Sequence, residues 1–157
     1  MQPTQEQFDR AKDRMTRELA KWKNILPLEL WHIEHTYHWE PWETRGKALA
    51  ETFADWRYWH ATIKWYVPEL IDILDGPDAD EQFEKYAVHE LTHCLLDCMT
   101  QYAVGTYGDG KMDSGQIEQT VTVVAQALQW THTAGWNAAK ESMEPDVYEQ
   151  MSRAISG

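Results

Sequence analysis

Positive charge is scarce in this chain. Its 14 Lys and Arg stand against 26 Asp and Glu, a formal net charge of −12 at pH 7. A surface of that sign repels nucleic-acid phosphates and anionic lipid headgroups, so neither is an expected partner, whereas a basic polypeptide is compatible with it. Long apolar runs are missing as well, and none approaches the ~20 residues that cross a bilayer. The N-terminal Met-Gln-Pro-Thr-Gln-Glu-Gln is polar and has no charged segment leading into an apolar one, so the expected compartment is the cytoplasm. Only two cysteines occur, Cys94 and Cys98, four apart in a segment with helical spacing. A bridge at that spacing would strain a helix, which leaves two reduced thiols as the expectation. Glycine and proline are also sparse, at 8 and 6, and they gather into no linker or low-complexity tract. One domain over residues 1–157 is therefore expected.

Tryptophan, by contrast, is abundant. Nine are spread over positions 22, 31, 39, 42, 56, 59, 65, 130 and 136. The plain reading is a small core thickened by large aromatic rings; an aromatic substrate groove is the alternative. The pattern around them assigns the elements. Thr4 with Gln7 three residues on forms a capping-box signature, and Phe8, Ala11, Met15, Leu19 and Trp22 then recur at helical spacing. That helix should end near Asn24, before Pro27. From Leu30 the period becomes two, with Trp31, Ile33, His35, Tyr37 and Trp39 on one face and His32, Glu34, Thr36, His38 and Glu40 on the other. A second alternating run places Trp59, Ala61, Ile63, Trp65 and Val67 against Tyr58, His60, Thr62, Lys64 and Tyr66. The stretch RGKALAETFAD between them leans toward a short strand. A short helix over 69–74, a long one from Asp80 to about Thr100, another from Asp113 or Ser114 and a last one over 145–155 complete the reading. Strands first and helices after indicate an α+β fold: a small antiparallel or mixed sheet of about three strands against the helices.

The segment that carries chemistry is His89-Glu90-Leu91-Thr92-His93. With seven histidines and fifteen glutamates in the chain, an accidental H-E-x-x-H has a chance of roughly 3 %. Its setting weighs further against accident, because Val88, Leu91, Leu95 and Cys98 make the helix strongly apolar. Two imidazoles and a carboxyl group there need hydrogen bonds or a metal to offset their desolvation. One turn apart, His89 and His93 project to the same side and can reach one zinc ion. Glu90 is rotated by about 100°, beside such an ion rather than on it, where a general base belongs.

A catalytic zinc takes three protein ligands, so a third must come from elsewhere. Glu118 is the best candidate. It lies in the first turns of the following helix, and Val121, Thr122 and Ala125 at helical spacing from it are small or apolar, so it is expected to face inward. The rivals are weaker. Asp113 stands at an expected N-cap, which occupies its oxygens. His132 lies fourteen residues on, about 21 Å along a straight helix. His32, His35 and His38 alternate between faces, and the two that share a face are about 20 Å apart at strand rise. These read as strand-surface or packing histidines.

Strands, then an H-E-x-x-H helix, then a helix offering glutamate: this arrangement resembles the zincin metallopeptidases, in particular the gluzincin branch. Its size is most similar to the minimal gluzincins and to metallopeptidase-like proteins of phages and prophages. The likeness spans roughly residues 28–135, and its specific motif is His89-Glu90-x-x-His93 with Glu118. It implies one Zn²⁺ per chain on His89, His93 and Glu118, with Glu90 as catalytic base in peptide hydrolysis and a polypeptide as substrate. It also implies a donor for the oxyanion, for which Tyr107, Tyr102 and His60 are candidates, and an extended substrate along an edge strand, for which the 56–67 strand with His60 is the candidate. Two departures stand out. Where thermolysin-like enzymes carry an aspartate four residues after the ligand glutamate, this chain has Thr122; Asp97, one turn beyond His93, is a replacement candidate. The glycine and third histidine of metzincins are absent. The different reading is a zinc-stabilised protein of the same fold that blocks or senses a partner without turnover, and an intact Glu90 speaks against it.

Overall fold

The computed structural model describes residues 4–39, 49–106 and 114–142. Helix α1, Gln5–Ile25, begins at Thr4 as the spacing requires. The Gln7 amide donates to Thr4 Oγ1 at 3.2 Å while the Thr4 amide donates to Gln7 Oε1 at 3.0 Å, a closed capping box. Ala11, Met15, Leu19 and Trp22 form its buried face. The chain then turns through Leu28 into strand β1, His32–His38.

Strands β2, Ala50–Asp55, and β3, His60–Tyr66, follow. The sheet order is β1-β3-β2, with β3 parallel to β1 and antiparallel to β2. On β3, Ala61, Ile63 and Trp65 are fully buried and alternate with half-buried His60, Thr62, Lys64 and Tyr66. One face of the sheet therefore meets the helices and the other is open. The short strand expected within RGKALAETFAD is present as β2. Trp59, by contrast, does not belong to the β3 core face. It stands in the turn before it at φ 51°, 46 % exposed, because the backbone must reverse between β2 and β3.

Helix α2, Val67–Leu74, has Pro68 in its first turn, where the missing amide costs no hydrogen bond. Helix α3, Ala79–Thr106, runs a turn and a half beyond the expected end. Helix α4 spans Ser114–Ser142, and the expected helix over 145–155 lies outside the described residues. Trp22, Trp65, Phe83, Leu70, Leu91 and Val88 anchor the core between α1, α2, α3 and the sheet. Polar ties cross the same seams: Trp22 Nε1 and Lys21 Nζ both donate to Glu84 of α3, and Thr16 pairs with the Tyr37 hydroxyl at 2.9 Å.

The chain is α+β, with four helices and a small mixed sheet of three strands among the described residues. The chain divides into two compact units, Met1–Ala125 and Gln126–Gly157. The reason is visible on α4, where Val121 and Ala125 are buried but no described residue from 126 on is. Among the described residues no helix is long and apolar enough to cross a membrane.

Candidate metal centre

Helix α3 sets the first two groups. His89 and His93, one turn apart, place their ring centroids 5.0 Å apart, nearly perpendicular at 74°. Both side chains are about four-fifths buried, at 21 % and 19 % exposure. Helix α4 supplies the third. Glu118 Oε2 lies 3.2 Å from His89 Nε2, and its Oε1 lies 3.4 Å from His93 Nε2. One carboxylate thus spans both imidazoles, and one ligand atom from each of the three residues falls within 4.8 Å of the others. Glu118 does not turn into the core as expected. It is 56 % exposed and forms the solvent side of the cluster, with the buried line of α4 continuing through Val121 and Ala125.

The donor set fits zinc. Two imidazole nitrogens and a carboxylate suit this ion, and bonds of about 2.0–2.2 Å in a tetrahedron separate neighbouring ligand atoms by about 3.3–3.6 Å. The two nitrogen–oxygen separations, 3.2 and 3.4 Å, end on different oxygens of Glu118 and are close to that edge length. Burial lowers the pKa of both histidines, against an opposing pull from the Glu118 charge. Neutral imidazole, the form that binds a metal, is thereby favoured.

Glu90 sits behind the pair, only 7 % exposed. Its carboxyl is pushed up to about 7, chiefly by burial and further by the Glu118 charge, while a hydrogen bond from Thr52 pulls the other way. That bond, Thr52 Oγ1 donating to Glu90 Oε2 at 2.6 Å, joins β2 to α3. Thr52 was not singled out in the sequence. The only local signal is its place on the inner alternation of β2 with Ala50 and Ala54, and its partner lies 38 residues away. Removing the hydroxyl in Thr52→Val should cost about 1–3 kcal/mol, the penalty of leaving a buried polar atom without its partner. The urea midpoint of the metal-free protein reads it, and an unchanged midpoint would mean that the bond adds nothing to the fold.

The remaining candidates fall elsewhere. His60 pairs in register with Asp55 of β2, the alternation opposite to Thr52, so it lies on the open face of the sheet and away from Glu90. Strand β3 is the central strand, hydrogen-bonded on both sides, and residues 56–59 form a turn; the 56–67 segment has no free edge for a substrate. Asp97 Oδ2 accepts the Trp56 backbone amide at 2.9 Å, so this carboxylate secures the β2–β3 turn to α3. Tyr107 and Asp113 lie outside the described residues, and so does the side chain of Tyr102.

No protein-family model, curated protein or solved structure matches the chain. Two imidazoles and a partly solvated carboxylate converge within 4.8 Å, with a second, buried carboxyl group one residue from the first histidine.

Proposed function

We propose that the chain is a zinc-dependent metallopeptidase of gluzincin type. The observation that carries this reading is the convergence of His89, His93 and Glu118, with ligand atoms within 4.8 Å of one another, beside a buried Glu90. His89, His93 and Glu118 would hold the ion. Zinc there would lower the pKa of a water toward neutrality and polarise a scissile carbonyl.

The chain's own residues supply the rest. Glu90 takes a proton from the attacking water and passes it to the leaving amine. Thr52 holds one oxygen of that carboxyl, so the other is left to face the reacting water. Among the described residues strand β2 is an edge of the sheet and carries Thr52, so its outer backbone groups are the place where an extended peptide would add by strand pairing. This replaces the 56–67 segment as substrate rim. The acidic surface favours lysine-rich substrates.

The test is incubation of the zinc-loaded chain with a panel of unfolded, lysine-rich proteins. Cleavage that a chelator abolishes and added zinc restores is the expected result. Cleavage that persists in chelator, or none across the panel, would overturn the proposal.

A further inference from the structure

The open face of the sheet brings together a second group of side chains of metal-ligand type. His32 opens β1 and His60 opens β3, and the two are direct partners in the parallel register. Register partners project to the same face, and here the rings stand 5.6 Å apart at 29°. Glu34, two residues along β1, returns to that face and brings Oε1 to 3.2 Å from His32 Nε2. One ligand atom from each of the three residues lies within 4.8 Å of the others. We propose that His32, Glu34 and His60 form a second divalent-cation site, selective for a borderline transition-metal ion of the zinc, nickel or copper(II) class.

The backbone prepares this arrangement. The His32 amide donates to the Trp59 carbonyl at 2.7 Å, which fixes the start of β1 against the residue before His60. The Trp31 and Trp59 rings meet edge to face at 5.7 Å and brace the same junction. Both histidines are thus placed side by side by the fold, and binding a metal needs only rotamer adjustment. Asp55, the partner of His60 on β2, is no competitor as the acidic ligand. Arg57 engages both of its oxygens, from Nε and Nη2 at 2.9 Å each, with its own amide at 3.1 Å.

This site is independent of His89, His93 and Glu118. Thr52 reaches Glu90 from the inner alternation of β2, and His60 belongs to the outer one. The two sites also differ in solvation. His32 is 71 % and Glu34 59 % exposed, so water competes for the ion and completes its coordination. Affinity should therefore be lower than at the buried pair, and a bound ion would clamp β1 to β3.

Calorimetric titration of the full chain carrying His89→Ala and His93→Ala with nickel chloride tests this. One equivalent should bind. Adding His60→Ala should weaken binding by more than about tenfold, since even outer partners of a ligand are commonly worth 10- to 100-fold. Adding His38→Ala, on the same face but at the far end of β1, should leave it unchanged. If the double variant fails to fold, the zinc-loaded wild-type chain is titrated with copper(II) while its histidine ring resonances are followed. His32 and His60 should then broaden before His38. Absence of nickel binding, equal affinity with and without His60, or broadening that spares His32 and His60 would overturn the site.

Discussion

Glu90→Gln should cut hydrolysis of a susceptible unfolded protein by 10²- to 10⁴-fold, the usual contribution of a general base, while zinc content stays at the wild-type level. Glutamine keeps the shape of the side chain and can still accept the hydrogen bond from Thr52. It cannot take a proton from water. Burial adds weight to the comparison, because an amide in this 7 % exposed position replaces a carboxyl already raised to about 7 and should not damage the fold. Activity within about threefold of wild type would remove Glu90 from the base role, since the smallest general-base effect is larger. Loss of zinc would place it in the coordination sphere, against its rotation from the two histidines. The variant also separates enzyme from binder: an unchanged biological effect without turnover would favour the zinc-stabilised binding protein.

Glu118→Ala should lower zinc affinity by at least 100-fold, more than the 10- to 100-fold typical of losing an outer partner. The carboxylate spans both imidazoles at 3.2 and 3.4 Å, so its loss leaves two ligands on one helix and an incomplete site. At 56 % exposure its removal opens no core cavity, and the fold should survive. Competition against a chromogenic chelator gives the affinity, and a thermal melt checks the fold. Asp113→Ala should keep wild-type affinity. Equal loss in both variants would move the third ligand out of α4.

The parts of this site that were legible in the sequence are those set by local geometry. His89 and His93 share a helix face because they are four apart, and Glu90 is turned aside by the same rule. Thr4 and Gln7 mark the start of α1 because a capping box is a three-residue pattern. What stayed hidden depends on pairing between distant strands. That β3 lies in the middle, parallel to β1, follows from tertiary packing, and so the pairing of His32 with His60 and the reach of Thr52 to Glu90 have no local signature. On β1 alone, His32 has no ligand partner but Glu34. The turn at Trp56-Arg57-Tyr58-Trp59 was concealed for a different reason. It contains no Gly or Asn, and Trp59 continues the alternation of β3 in sequence while its φ of 51° takes it out of the strand. Glu118 is expected on an inward face from its apolar neighbours at helical spacing, yet it meets the cluster from the solvent boundary.

Zinc content after exhaustive dialysis of wild-type protein, measured beside His93→Ala, tests the central claim most directly. Three ligands on two helices should retain one zinc per chain, and the exposed His32 group should release its ion under the same conditions. His93→Ala should retain almost none. Wild-type protein holding less than about 0.2 equivalents, or His93→Ala holding as much zinc as wild type, would contradict a metal centre at His89, His93 and Glu118.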